Sequence, residues 1–386
     1  MNKRQNSLVV WGGALALSVF AGALVAEDTP APAAAAAPAA DAAPAADAAA
    51  PAAEAAPAAD TAAAAPPAEA APAAAAAPAP PVKPRESEIF PLASKGLMLD
   101  VANTGKHLIA VGDRGAVLAS NNGKDWAQVK APVRSALTGV AFADANVGWA
   151  VGHDAVIIKT TDGGKTWAMQ NFQPELEKAF LHVLALDANH AIAVGAYGLL
   201  YATTDGGTTW TQQEAPAIRE GELHLNGITK LANGSLIIVG EQGTIGLSTD
   251  GGVSWEKIAS PYQGSFYGAL PAGPTGATLY GLRGNVFTSA DAKTTPFTPV
   301  TSNTVASFFG GTTMPDGGTA LVGLSGMVMK LDASGSTKQV KVKIKEIDGY
   351  GKEQEKDITG SFSAAVAFAG GLVVVGEQGV QSIKLN

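Results

Sequence analysis

One short phrase recurs seven times along the chain and constrains its fold more than any other feature. It has the form V-G-x-x-G, with Ala155 replacing the last glycine in the second copy and Tyr280 replacing the valine in the fifth. Its first glycines are Gly112, Gly152, Gly195, Gly240, Gly281, Gly323 and Gly376, at intervals of 40, 43, 45, 41, 42 and 53 residues. A repeat of ~40–45 residues is the length of one four-stranded propeller blade.

Each repeat also contains four strand-like segments. In the second repeat these are residues 137–142, 147–151, 156–160 and 167–170. The second and third segments are joined by two residues flanked by glycines, which is typical of a tight hairpin. The sequence therefore predicts an all-β fold, a seven-bladed β-propeller of four-stranded blades.

The last repeat ends at Asn386, soon after its third strand. Its fourth strand must come from elsewhere, and Ser87-Glu88-Ile89-Phe90 is the natural donor. We therefore expect an N-terminal strand to close the ring and cover the sheet edge that would otherwise be exposed. The propeller domain is predicted to span residues 85–386.

A second repeated phrase marks the turn between the third and fourth strands. It has the form S/T-x-D-x-G-x-T-W, known as the Asp-box, with a weaker copy at residues 119–126. The Asp is expected to accept hydrogen bonds from the turn backbone, and the Trp to bury its ring between sheets. The predicted structural residues are Asn121 and Trp126, Asp162 and Trp167, Asp205 and Trp210, and Asp250 and Trp255.

The N-terminal region has a different composition from the repeats. Lys3 and Arg4 precede an apolar run from Leu8 to Ala26, which is the layout of a secretory signal or of an uncleaved membrane anchor. Residues 27–84 follow as an Ala/Pro-rich tether that cannot build a packed core, predicted to be disordered. The expected location is exported and periplasmic, tethered to the inner membrane if the signal is retained.

Composition excludes several classes of function. The chain has no cysteine, so disulfides, thiolate metal sites and a cysteine nucleophile are excluded. A formal net charge of -8 argues against a general nucleic-acid binder. No metal-ligand spacing joins the five histidines (His107, His153, His182, His190 and His224), and no glycine-rich loop precedes a helix. We therefore expect no metal, no cofactor and no catalytic residues.

The two variable residues of each V-G-x-x-G phrase differ strongly among the seven repeats. These turns and the blade-to-blade connections emerge on the same face of a propeller. We interpret this face as a partner-binding surface on which arginines pair with carboxylates and aromatic rings act as anchors. The alternative is unconstrained turn composition. The candidate residues are Arg114, Arg134, Arg219, Arg283, His153, Tyr197, Tyr262 and Phe266.

The sixth interval, of 53 residues, contains an insertion. Lys341, Lys343 and Lys345 alternate with apolar residues, which predicts a strand with one basic face. Asp348-Gly349 is a turn signal, and residues 352–357 are expected to form a mixed-charge loop. The strand is either a contact for a membrane-protein partner or for lipid headgroups, or a solvated edge strand protected by lysines.

An exported start, seven V-G-x-x-G phrases and Asp-box turns together resemble the photosystem II stability/assembly factor family, over residues 85 to about 386. This resemblance implies a monomeric, non-catalytic factor that helps to assemble or stabilise a membrane-protein complex. The partner would be photosystem-like or, as for relatives in non-photosynthetic bacteria, an exporter of the resistance-nodulation-division type. The tether is not part of the family pattern and suggests a bacterial relative.

A carbohydrate-binding or glycoside-hydrolysing propeller is the alternative, because sialidases and several glycoside hydrolases share the Asp-box. A sialidase needs three arginines around a carboxylate. Beyond the tether the chain has only Arg85 and the four candidate arginines, and it lacks the Phe/Tyr-Arg-Ile-Pro motif. This composition argues against a sialidase.

Overall fold

The computed structural model of the protein describes residues 82–347 and 353–385. These residues form a seven-bladed β-propeller in which each blade is an antiparallel sheet, confirming the predicted fold class. The predicted signal, residues 1–26, and nearly all of the predicted tether, residues 27–84, lie outside the described residues. Within the described part, no helix is long and apolar enough to cross a membrane.

The strands of each blade run in sequence order from the propeller axis outward. The inner strands of blades 1 to 7 are Met98–Asn103, Leu137–Phe142, Phe180–Ala185, Leu225–Lys230, Phe266–Ala272, Phe308–Thr313 and Phe362–Phe368. The second strands are Leu108–Gly112, Gly148–Gly152, Ala191–Gly195, Leu236–Gly240, Gly276–Gly281, Thr319–Gly323 and Gly371–Gly376. The third strands are Val117–Ser120, Ile157–Thr160, Leu200–Thr203, Ile245–Ser248, Val286–Ser289, Val328–Leu331 and Gly379–Ile383. The outer strands of blades 1 to 6 are Ala127–Val129, Ala168–Asn171, Thr211–Gln212, Glu256–Lys257, Thr298–Val300 and Thr337–Gln339.

Short helices occur only in turns and connections of the described chain. One α-helical turn, Pro216–Arg219, and the 3-10 turns Pro174–Leu176 and Glu220–Glu222 lie in connections between blades, and the 3-10 turn Ala93–Lys95 precedes the inner strand of blade 1. Five more 3-10 turns form inside V-G-x-x-G phrases, at Asp113–Gly115, Ala196–Gly198, Glu241–Gly243, Leu282–Gly284 and Leu324–Gly326.

The core of the propeller is divided among the interfaces between neighbouring blades. Seven apolar clusters are present, one at each interface around the ring. The second strand of every blade is buried along its whole length, because each of its faces packs against a neighbouring sheet. This packing explains why those strands are continuous apolar runs rather than alternating ones.

Ring closure differs from the expectation. The sheet of blade 7 has three strands, and Ser87-Glu88-Ile89-Phe90 forms no strand in the described chain, so the predicted closing strand is wrong. Instead, this segment bonds to blade 1: Ser87 N donates to the Ala131 carbonyl at 2.9 Å, and Gln128 Nε2 donates to the Glu88 carbonyl at 2.8 Å. The ring closes because blades 7 and 1 share an apolar cluster that contains Met98 and Val375.

The insertion between blades 6 and 7 forms a separate two-stranded hairpin, Lys343–Ile347 paired with Glu353–Asp357. The expected mixed-charge loop at residues 352–357 is therefore wrong for residues 353–357, which are a strand. The register places Lys343 opposite Asp357 and Lys345 opposite Glu355, a pairing of opposite charges that favours the hairpin. The predicted turn at Asp348-Gly349 lies outside the described residues.

Candidate functional site

The propeller presents two faces with different turn chemistry. The hairpin face carries the seven V-G-x-x-G turns (112–115, 152–155, 195–198, 240–243, 281–284, 323–326 and 376–379) and the blade-to-blade connections. The Asp-box face carries the turns between third and outer strands.

Each V-G-x-x-G turn is bound to the inner strand of its own blade by the same backbone hydrogen bond. The N–H of the first variable residue donates, at 2.9–3.1 Å, to the carbonyl of the residue that precedes the inner strand. The seven pairs are Asp113–Leu97, His153–Ala136, Ala196–Ala179, Glu241–His224, Leu282–Ser265, Leu324–Ser307 and Glu377–Ser361. This contact brings the turn so close to the inner strand that a side chain on the first glycine would meet the same carbonyl oxygen.

The second variable residue of the turn has a left-handed backbone in six of the seven blades. These residues are Arg114, Asp154, Tyr197, Gln242, Arg283 and Ser325, with φ between 49° and 60°. Side chains in this conformation cost free energy relative to glycine. The hairpin face therefore has a constrained backbone and a variable set of side chains.

The Asp-box turns bind their own backbone, as the sequence predicts. The Asp162 carboxylate accepts hydrogen bonds from the N–H groups of Lys165 and Thr166, both at 2.9 Å, and from the Thr166 hydroxyl at 2.7 Å. Because these bonds stabilise the charged form, the pKa values of Asp162, Asp205 and Asp250 are lowered to about 2. Trp167 and Trp255 are buried at 8% and 9% exposure, whereas Trp126 and Trp210 are partly buried.

One Asp-box assignment is corrected by the structure. In blade 1, the side chain of Asn122 accepts from the N–H groups of Lys124 and Asp125, both at 2.9 Å, whereas Asn121 was expected to do so. The first turn is one residue shorter than the others, so alignment on Trp126 rather than on Ser120 shifted the assignment by one position.

The four candidate arginines have different environments. Arg219 is committed to the fold, because its Nε donates to the Gly198 carbonyl at 2.7 Å and its Nη1 donates to the Gln213 carbonyl at 2.9 Å. Arg134 forms an ion pair of 2.7 Å with Glu88. Arg114 and Arg283 are exposed, and Arg114 lies 3.6 Å from the carboxylate of Asp113. Two of the four therefore have free access to a partner.

The four other candidate residues on this face also differ in their exposure to solvent. Tyr197 is 49% exposed, and His153 is half-buried. Tyr262 packs against the cluster between blades 4 and 5, with its ring stacked on Phe287 at 5.9 Å. Phe266 is fully buried, so its predicted role as an anchor for a partner is wrong. It is the first residue of an inner strand, a position that is large and apolar in all seven blades and that an alignment of the repeats would have revealed.

The basic residues of the insertion lie away from this set. Lys341 and Lys343 are exposed just before and at the start of the hairpin, and Lys345 is placed on the same strand by the register. Lys343 faces Asp357 across the hairpin, whereas Lys341 precedes the paired strand. The basic residue at the start of this strand is therefore matched by an acidic one.

The structure reveals a feature that the motif search missed, the distribution of exposed apolar side chains. Eight large hydrophobic residues of the described chain are exposed, and five of them lie on the hairpin face. The five are Leu92, Leu176, Tyr197, Val305 and Leu324. The Asp-box face has Val253. Apolar residues inside polar turns and connections are the signal that could have identified them.

Two titratable side chains lie among the inner strands, Asp100 in blade 1 and His182 in blade 3. Burial raises the pKa of Asp100 to about 7, although its carboxylate accepts hydrogen bonds from the N–H groups of Val101 and Val140, both at 2.8 Å. Burial lowers the pKa of His182 to about 4, and its Nδ1 has no partner within the described residues. No group of three or more His, Asp or Glu side chains in the described chain could hold a metal ion.

The whole propeller is similar to solved propellers. A structure described as "YCF48 bound to D1 peptide" matches with a TM-score of 0.58 and 19% identity, over 80% of this chain and 99% of that one. "YCF48 from Cyanidioschyzon merolae" matches with a TM-score of 0.58 and 19% identity, over 78% and 98%. The WD40 propeller of Doa1 matches with a TM-score of 0.56 and 11% identity, over 75% and 92%. At these identities the likeness shows the fold.

The sequence itself matches in two ways. The chloroplastic photosystem II stability/assembly factor HCF136 of Cyanidioschyzon merolae (strain NIES-3377 / 10D) is 32% identical over 95 residues, which are 23% of this chain and 22% of that protein. The match thus spans about a fifth of that relative's length. The family model described as "Photosynthesis system II assembly factor YCF48" matches residues 118–185 and 170–343. Because this model covers more than half of the chain, the protein belongs to the photosystem II assembly factor YCF48 family.

Proposed function

We propose that the protein is a non-catalytic assembly or stability factor that binds an exposed segment of a membrane protein on its hairpin face. The observation that carries this proposal is the concentration of exposed apolar side chains on that face, five of the eight in the described chain. Val305, in the connection between blades 5 and 6, and Leu324, in the blade 6 turn, neighbour each other along the ring, and apolar side chains grouped on one face mark a protein-binding surface. The solved relative described as bound to a D1 peptide supports a membrane-protein segment as the partner.

Charged side chains on the hairpin face would orient the bound segment of the partner. Arg114 and Arg283 are exposed on the hairpin face, and each can pair with a carboxylate of the partner. The N-terminal apolar run and the tether support a periplasmic location near the inner membrane. In that location the hairpin face would meet the exported parts of a photosystem-like complex or of a resistance-nodulation-division exporter.

The test is a crosslinking pull-down from native membranes with the tagged full-length chain. The variant Val305→Asp/Leu324→Asp places charges on the hairpin face, and Val253→Asp places one on the Asp-box face as the matched control. We expect the double variant to recover much less membrane protein than the unmodified chain, because burying an unpaired carboxylate in an interface costs about 2–5 kcal/mol. Val253→Asp should recover as much as the unmodified chain.

Circular dichroism and thermal melting of both variants establish that the fold is intact. Equal recovery by the double variant and by the control would show that the hairpin face is not the binding surface. Recovery of soluble sugars without any membrane protein would instead support the carbohydrate-binding alternative.

A further inference from the structure

A carboxylate on the hairpin face lies among aromatic rings contributed by three neighbouring blades. Glu241, the first variable residue of the blade 4 turn, accepts a hydrogen bond from His224 N at 2.9 Å. Its other oxygen lies 3.7 Å from His224 Nδ1, and its side chain remains 36% exposed. The carboxylate is thus held at the start of an inner strand, within reach of solvent.

The rings surround this carboxylate on two sides. On one side, Tyr197 of blade 3 contacts the His224 ring edge-on, with 4.8 Å between the ring centres. On the other side, Tyr267 of blade 5 is half-buried, and its pKa is raised by burial and then by the negative charges of Glu241 and Tyr262. We name the set Tyr197, His224, Glu241 and Tyr267 the Glu241 site.

An internal cation already uses one of these rings. Lys178 Nζ lies 5.5 Å from the centre of the Tyr197 ring. A cation over an aromatic face at this distance is attracted by the ring quadrupole. The Tyr197 ring is therefore positioned so that it can accept a positive charge.

The surroundings of the Glu241 site are acidic. The two connections beside the Tyr197 turn, residues 172–179 and 213–224, contain Glu175, Glu177, Glu214, Glu220 and Glu222 but only two basic residues, Lys178 and Arg219. Arg219 donates to two backbone carbonyls and is committed to the fold. The local field therefore favours a positively charged ligand.

Blade 7 offers the same turn without the rings. Glu377 occupies the equivalent position in an identical V-G-E-Q-G phrase and accepts a hydrogen bond from Ser361 N at 3.0 Å. The repeat places Ser325, Ser361 and Leu99 where the Glu241 site has Tyr197, His224 and Tyr267. The aromatic residues of the Glu241 site are therefore not required by the turn itself.

We propose that the Glu241 site binds the cationic side chain, arginine or lysine, of a partner protein segment. The carboxylate pairs with the charge, and the tyrosine and histidine rings contact the flat guanidinium or the methylene groups. This inference rests on the proposed function and adds the chemistry of the partner: the segment carries a basic residue that docks between blades 3, 4 and 5. The exposed Leu324 and Val305 of the neighbouring blades would hold its apolar residues.

The test uses the full-length chain with 13C-labelled tyrosine and two small probes. N-acetyl-arginine amide carries the cation, and N-acetyl-citrulline amide has nearly the same shape without the charge. We expect the arginine probe to shift the ring signals of Tyr197 and Tyr267 saturably, while Tyr201 and Tyr280, outside the site, stay unchanged. Individual Tyr→Phe variants assign the signals.

Three variants decide the outcome. Glu241→Gln retains an acceptor for His224 N, and it should weaken binding of the arginine probe about tenfold. Glu377→Gln, the matched control, should leave the binding unchanged. Lys178→Met should strengthen binding several-fold, because it removes a competing positive charge.

Equal binding of the citrulline probe, or undiminished binding by Glu241→Gln, would overturn the proposal. So would an equal loss in Glu377→Gln, which would indicate a general charge effect. None of these results depends on the membrane pull-down, so a failure of the Glu241 site is distinguishable from a failure of the proposed function.

Discussion

Both faces of this propeller are built from recurring turns, yet the side chains of the two faces differ in what they contact. On the Asp-box face the recurring side chains bind the protein itself: Asp162 binds its own turn, and Trp167 packs into the interface between blades 1 and 2. On the hairpin face the recurring hydrogen bond is made by the backbone, and the side chains at the two variable positions differ from blade to blade. A face held by its backbone can change its side chains without loss of fold, which is what recognition requires.

The largest effect is expected from removal of an Asp-box tryptophan. Trp167→Ala should destabilise the protein by about 3–5 kcal/mol, because it empties a buried ring site that also contacts Phe142 edge-on at 6.2 Å. Tyr197→Ala on the hairpin face should cost less, about 0.5–1.5 kcal/mol, because the residue is 49% exposed and its ring contacts are with His224 and Lys178. Urea unfolding of both variants measures the difference. Similar losses in the two variants would contradict the division between the faces.

A smaller effect should come from the backbone contact on the hairpin face. Gly323→Ala would place a Cβ against the Ser307 carbonyl, where it is closer than any real Cβ contact, and should cost about 1–3 kcal/mol. The control is Gly96→Ala on the same face, where φ is -79° and the nearest atom is 3.5 Å away. Thermal melting of the two variants compares them. If Gly323→Ala were as stable as the control, the glycine would not be explained by this close approach.

The smallest effect is a dependence of stability on acid. The pKa values of Asp162, Asp205 and Asp250 are lowered to about 2 from the ordinary 3.8, so these groups stabilise the folded state above pH 4. This contribution is lost as the pH falls from about 4 to about 2. The melting temperature should therefore decrease over that range, and the triple Asp→Asn variant should show a shallower decrease. An unchanged acid profile in the triple variant would show that the Asp-box carboxylates are not its source.

Much of the fold could be predicted from the repeats. The four segments predicted for blade 2 agree with the observed strands to within about one residue at each end. The reason is local: glycine-containing hairpin turns mark every blade and Asp-box turns mark blades 1 to 4, and each turn has a physical requirement that is visible in a few residues. The strand at residues 353–357 was expected to be a loop, because its run of charged and polar residues resembles that of a solvated loop.

The closing segment and the candidate site could be predicted only in part. Ser87 and Phe90 are hydrogen-bonded to Ala131 and Gln128, which lie about 40 residues further along the chain. No local sequence pattern predicts this pairing. Arg219 looked like a free cation in the sequence, but its two carbonyl acceptors belong to other segments, 6 and 21 residues away. Exposure of Leu324 and Val305 likewise depends on which residues the ring covers.

By itself, the sequence determined the number of blades, the order of their strands and the turns that join them, because the spacing and type of the repeated residues fix local backbone geometry. The tertiary structure decided which side chains form contacts within the protein and which remain exposed to a partner. Arg219, Arg134 and Phe266 form contacts within the protein, while Arg283, Tyr197 and Leu324 remain exposed. That division arises from contacts between distant segments, and burial is a property of the closed ring rather than of any one repeat.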